Sequence, residues 1–427
     1  MERLQNILAR VKQSRLFADS FWALCGSVLG KGMSLLAGIV VARFLGSELY
    51  GEYGTIKNTL LMIAIFSSLG LGYSATKFIA ESVAAENTKR ILDTHRIALV
   101  ATFAMSFVIA MLLVLGAGHV ASWLDAPHLA TTLRLSAIAV ILNAVNTTQT
   151  GELAGFGAYK ALAKNNTYTG IFTLLASIVL AYFFGFNGAV IALILSLLFN
   201  AILNQVSLRT HIKSYNISTA MSVEPAYVRE VISYSLPIAL QESLYSVTHW
   251  VNLFIIIKLA GYTELGISSA ASQWMAVVLF VPGALRNVAL SHLSATNNNR
   301  EGNRTILRRL VGVNFLATFI PFILILICSH FIESWYGSTF NGLQRVLNVC
   351  VFTAVVNSVT NVLTQEFMAH SRNWFLFFSR LLRDVGILVT MYWAISYWGN
   401  GALTAAVVAL LFQIIYLILL YIKYRRL

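Results

Sequence analysis

Four ionisable side chains fall inside long apolar stretches of the sequence: Lys31, Lys57, Glu242 and Arg286. A charge held in hydrocarbon costs at least ~2.5 to 3.5 kcal/mol on insertion scales, so each of them needs water, a partner or a ligand. At 1.5 Å per residue, Lys31 stands about 18 Å from the Arg43 end of its stretch, beyond the reach of a side chain stretching to the interface, and is expected to face water. Lys57 and Arg286 lie nearer the ends of theirs, where reaching an interface remains an alternative. Three cations against one carboxylate would make a net positive chamber suited to a phosphate-bearing ligand, with lysine as a point charge and arginine as a bidentate fork. Glu242 has three open roles: balancing a neighbouring cation, binding a coupling ion, or forming a structural pair. His249 lies about two turns beyond it and is left unassigned, since a lone intramembrane histidine more often satisfies a neighbouring carbonyl than relays protons.

Other chemistry is missing from the sequence. It contains no phosphate-binding loop, nucleophile elbow, dinucleotide fingerprint or His/Cys/Asp/Glu cluster at metal-ligand spacing, so no catalytic residue, metal or cofactor is expected. Cys25, Cys328 and Cys350 sit in apolar runs and read as packing residues. A membrane glycan polymerase or ligase would display a large outward loop, whereas the longest here are short, around Gly116 to His128 and His330 to Asn341.

The elements that must position these charges follow from composition. Of 427 residues, 58% are apolar and 11% charged, with a mean hydropathy of +0.73; a soluble domain carries about 25% charge. Lipid offers the backbone no hydrogen bonds, and apolar runs longer than 20 residues exceed the roughly 10 of a barrel strand, so the fold class is an all-α membrane protein. Apolar segments fall near 20–45, 52–80, 92–116, 129–155, 160–184 and 188–209, and again near 229–257, 262–292, 306–329, 341–369, 374–397 and 401–422. This gives about twelve transmembrane helices. Residues 1–19 pair Leu4, Ile7, Leu8 and Val11 with four cations, as expected of an amphipathic cytoplasmic segment. The expected organisation is that segment, a first lobe at 20–210, a polar linker at 211–228 and a second lobe at 229–427.

With the amino terminus inside, 23 of the 30 Lys and Arg fall on the cytoplasmic side, including Arg380 and Arg383. The expected topology is therefore multi-pass with both termini cytoplasmic, and the resemblance given below implies a bacterial inner membrane. The net charge of +13 is a topology signal, and nucleic acid is not an expected partner. Sliding the chain by 215 positions sets Ser20 on Ser235, Arg43 on Lys258, Gly46 on Gly261 and Gly51 on Gly266; a slide of 214 sets Glu152 on Glu366. Six spans per half is even, so the halves should be parallel repeats with a cavity between them. Lys31, Lys57 and Arg286 fall on Ser246, Ser272 and Leu71, which breaks the repeat. Glu152 and Glu366, at matching helix ends, read as structural ties.

The stretch Ala42-Arg43-Phe44-Leu45-Gly46-Ser47-Glu48-Leu49-Tyr50-Gly51-Glu52-Tyr53-Gly54 resembles the loop between the first two helices of Wzx-type polysaccharide flippases, in the multidrug/oligosaccharidyl-lipid/polysaccharide exporter superfamily. Ser68 to Gly72, Lys77 to Glu81 and Ser235-Leu236-Pro237 continue the likeness. The resemblance implies a MATE-like transporter rather than an enzyme. Its substrate would be an undecaprenyl-diphosphate-linked oligosaccharide carried to the periplasmic leaflet by alternating access, for O-antigen or other surface polysaccharide. Lys31, Lys57 and Arg286 would then bind the diphosphate, and a polymerase and chain-length regulator would be partners. An ion-coupled drug exporter of the same superfamily is the alternative, disfavoured because the first lobe has no mid-span acid.

Overall fold

The computed structural model describes residues 15–68, 70–213, 224–283, 285, 300–370 and 372–425. Residues 1–14 of the expected amphipathic segment, 214–223 of the linker and Arg286 lie outside them, as does the side chain of Glu242. The helices are α1 (Arg15–Ser68), α2 (Leu71–Ala84), α3 (Thr88–Trp123), α4 (Ala130–Gly155), α5 (Tyr159–Lys213), α6 (Pro225–Val278), α7 (Arg300–Tyr336), α8 (Leu343–Ala369), α9 (Asn373–Trp398) and α10 (Gly401–Arg425).

Three of these are too long to cross once. At 1.5 Å per residue the 54 residues of α1 would reach about 81 Å, against roughly 30 Å of hydrocarbon. Each folds back at one residue: Gly46 (φ 73°, ψ 172°) in α1, Gly185 (φ 55°, ψ −131°) in α5 and Gly261 (φ 85°, ψ 178°) in α6. Only glycine takes such a backbone cheaply. Among the described residues, eight helices are long and apolar enough to span, three of them fold back, and α9 adds a span whose Arg380, Arg383 and Asp384 dilute its hydropathy. The twelve spans of the sequence are thus present in two sets of six. Gly46 and Gly261 are 215 positions apart and turn alike, and Gly185 is matched 214 positions on by Gly399, also at positive φ. One boundary differs from expectation. The second span, read as continuous over 52–80, breaks at Gly70 (φ 68°), whose carbonyl accepts from Tyr73 and Ser74 as α2 begins.

The chain divides into two compact units, Met1–Ala37 with Thr55–Trp250, and Gly38–Gly54 with Val251–Leu427. In the first, small residues set helix crossings. A Cβ at Gly151 of α4 would collide with the Gly72 carbonyl of α2, and Thr76 Oγ1 donates to the Gly151 carbonyl at 2.8 Å. The start of α6 is docked on α2 and α3. Ser74 and Ser235 hydroxyls lie 2.6 Å apart, Thr94 and Tyr227 hydroxyls 2.7 Å apart, and Lys89 donates to Glu224 at 2.8 Å. Lys77 lies 4.1 Å from the Tyr234 ring centre, and Leu71, Phe78, Ile97, Tyr227 and Val231 form a buried cluster beneath. The Lys89 hydrogen bond holds Glu224 below the usual carboxylate range.

In the second unit, a Cβ at Gly51 would strike the Tyr262 carbonyl and one at Gly266 would strike the Ser47 carbonyl. Each position and its obstacle are exchanged by the 215-residue repeat, so the two turns cross face to face. Gly54 meets Ser269, its own repeat partner. The Ser47 amide donates to Thr339 Oγ1 at 3.1 Å, and Arg43 reaches the Trp335 carbonyl at 3.3 Å.

Two outcomes are expected. Gly266→Ala should cut the yield of monodisperse protein in detergent and lower its unfolding temperature, whereas Gly32→Ala, with open space around it, should do neither; equal behaviour would contradict the crossing. Ser74→Cys with Ser235→Cys should form a disulfide under mild oxidation, read as a gel shift that reductant reverses.

Candidate functional site

Lys31 follows Gly30, where α1 crosses α5. A Cβ on Gly30 would lie 2.7 Å from the Asn166 carbonyl oxygen, and one on Gly170 would lie 2.9 Å from the Gly30 Cα. Ser34 Oγ returns a hydrogen bond to the Gly30 carbonyl at 2.9 Å. The contact fixes one face of the helix, with Gly30, Leu35 and Ala37 buried, and leaves Lys31 exposed. Lys57 is half-buried on the other arm of α1, between buried Ile56 and Thr59. Thr59 Oγ1 accepts from Trp250 Nε1 at 3.1 Å, which ties α6 beside that arm.

Both lysines belong to the first unit. Counting from Gly46 at 1.5 Å per residue, Lys31 lies about 22 Å down one arm and Lys57 about 16 Å down the other, a difference close to one helical turn. Ser246, the repeat partner of Lys31, is buried in the same unit. The other two residues of the expected set cannot be placed beside them. Arg286 is outside the described residues, and only the helical backbone of Glu242 is described.

The second unit holds a charged group that reading the sequence missed. Arg380 and Arg383, counted with the cytoplasmic cations, stand two and three turns inside α9. Arg383 donates from Nε and Nη2 to Asp384 Oδ1 at 2.8 and 2.6 Å and from Nη1 to Gln413 Oε1 at 3.1 Å, with its guanidinium 4.9 Å from the Tyr416 ring centre. Gln413 in turn donates to Asn357 Oδ1 at 3.4 Å. Asn357 and Gln413 are both central in their helices, so the guanidinium lies across the spans at mid-depth rather than stretching to an end. Asp384 is the signal that could have revealed it, since a carboxylate beside an arginine deep in a span neutralises it locally.

Glu152 and Glu366 are buried carboxylates at matching ends of α4 and α8. Both Glu152 oxygens lie 3.0 Å from His95 Nδ1 of α3, and Glu366 Oε1 accepts from Asn303 of α7 at 2.6 Å. Each therefore ties its helix to the neighbouring one, and Glu366 Oε1 also lies 3.6 Å from Nδ1 of His370 in the turn that follows α8. Asp93 and Glu52 are also buried, each near the start of a span.

Known proteins share this architecture. An inward-facing multidrug resistance MATE family transporter of the MOP superfamily superposes with a TM-score of 0.74 at 15% identity, covering 92% of this chain and 93% of that one. A MOP superfamily transporter from Pyrococcus furiosus, described as having a binding pocket of reversed polarity, gives 0.70 at 14% identity, covering 95% and 94%. At such identities the likeness is one of fold. In sequence, the EPS I polysaccharide export inner membrane protein EpsE of Ralstonia nicotianae is 22% identical over 409 residues, 93% of this chain and 92% of that protein. An uncharacterized membrane protein of Methanocaldococcus jannaschii is 24% identical over 298 residues, 66% and 69% of the two chains. Residues 40–342, most of the chain, match the model of a family described as polysaccharide biosynthesis protein. The chain is a MATE-like, multi-pass membrane protein and belongs to the polysaccharide biosynthesis protein family.

Proposed function

We propose that the protein is a flippase that carries undecaprenyl-diphosphate-linked oligosaccharide units from the cytoplasmic to the periplasmic leaflet of a bacterial inner membrane, with both termini cytoplasmic. The observation that carries this reading is the pair of lysines at membrane depth on the two arms of α1, at positions whose repeat partners, Ser246 and Ser272, are uncharged. A charge that holds the scaffold can recur in both halves, as Glu152 and Glu366 do. One present in a single half serves something asymmetric, and a diphosphate is a ligand for which lysine is suited.

In this reading Lys31, Lys57 and Arg286 hold the diphosphate while Glu242 balances charge or couples an ion. The lobes, residues 20–210 and 229–427, would expose the site to one leaflet and then the other by alternating access. A polymerase and a chain-length regulator would take the delivered unit. Family membership and the name of the Ralstonia relative support a saccharide cargo.

The multidrug transporters of the same fold favour one other reading, a cation exporter. A strain lacking this protein would then become sensitive to cationic drugs while keeping its surface polysaccharide; the flippase reading requires the reverse. Within the flippase reading, Lys31→Ala should abolish surface polysaccharide while the protein remains inserted and abundant, and Lys31→Arg should restore part of it. Normal polysaccharide from Lys31→Ala would sink the assignment.

A further inference from the structure

One face of α10 carries Ile415, Ile418, Leu419, Ile422 and Lys423, and together with Phe375 of α9 it lines a cleft of about 340 Å³. The cleft is apolar along its length and basic at one end. From Ile415 to Lys423 it follows the helix for about 12 Å, parallel to the direction in which a lipid chain lies. Ile415, Ile418 and Ile422 are each about half exposed, so the cleft opens to the lipid side rather than into the helix packing.

The basic end coincides with a helix start. Phe375 lies in the first turn of α9, and Lys423 Nζ stands 5.7 Å from its ring centre. Arg372, at the N-cap of α9, offers its first amides no side-chain hydrogen bond. Such amides, with the positive end of the helix dipole, attract phosphate. Arg425 is exposed two residues beyond Lys423, its guanidinium 5.2 Å from the Tyr421 ring centre, and Arg372 is exposed as well. Trp374, three-quarters exposed beside them, marks the level where aromatic side chains meet headgroups.

From this arrangement we infer that the α9–α10 cleft is a binding site for an anionic phospholipid. One acyl chain lies along Ile415, Ile418 and Ile422, and the phosphate meets Lys423 and the opening turn of α9. Basic pockets between spans recognise anionic headgroups in this way, and a zwitterionic lipid would cancel part of the attraction with its own amine. The site is separate from the lysines of α1 and does not depend on what the protein transports.

The test is native mass spectrometry of the purified full chain, extracted in mild detergent and supplied with equimolar phosphatidylglycerol and phosphatidylethanolamine. The wild type should retain phosphatidylglycerol preferentially. Lys423→Gln should reduce that retention about five-fold, the equivalent of the roughly 1 kcal/mol that one basic side chain contributes at an anionic surface. Ile418→Trp, which fills the cleft and keeps every charge, should reduce it too, while Ile327→Trp, at a span position exposed elsewhere, should not. Unfolding temperatures of the variants show that each is folded. Equal retention of the two lipids by the wild type, unchanged retention in both cleft variants, or replacement of the phospholipid by a prenyl diphosphate would overturn the inference.

Discussion

A backbone amide in hydrocarbon has nothing to bond except its own helix, and this constraint governs where the chain can turn. Inside the membrane the chain has to stay helical, so reversals are confined to span ends and made as short as possible. Gly46, Gly185, Gly261 and Gly399 reverse or terminate spans at positive φ. The first pairs with the third and the second with the fourth in the repeat. The crossing of Gly51 and Gly266 follows from the same economy, because two compact turns without side chains in the way can bring their backbones together. That crossing gathers Gly38–Gly54 into the second unit, although this stretch joins the first two spans of the first half.

Several charged groups inside the spans follow a related rule, since leaving one unpaired costs more than bonding it gains. Arg383 lies sideways onto Asp384, Gln413 and Tyr416, making one network across α9 and α10 that extends to Asn357 of α8. Glu152 and Glu366 each receive a donor from the adjacent helix. These carboxylates recur in both halves and hold the scaffold. Lys31 and Lys57 do not recur, and the proposed diphosphate site rests on that asymmetry.

The sequence displayed the scaffold well because its signals are physical and local. Apolar runs had to be helices, and Gly46 with Gly261 marked the same turn twice. The break at Gly70 was hidden inside an apolar run, since a single αL glycine changes direction without changing hydropathy. Arg383 was misread because counting cations by segment ignores how deep each one lies and whether an acid sits beside it. The docking of Ser235 and Tyr227 onto α2 and α3 joins residues 161 and 133 positions apart, and no local pattern encodes such a pairing. Lys31 and Lys57 were legible as anomalies of cost; the ligand proposed for them came only through resemblance.

The central claim is that the protein moves a lipid-linked saccharide across the bilayer. The direct measurement uses purified protein in liposomes that hold a fluorescent undecaprenyl-diphosphate oligosaccharide, with an impermeant quencher reporting which leaflet displays the sugar. The account predicts that sugar initially protected in the inner leaflet becomes quenchable in proportion to the protein present, and that the same liposomes do not transport a cationic dye. Dye transport with the saccharide left in its original leaflet would contradict it.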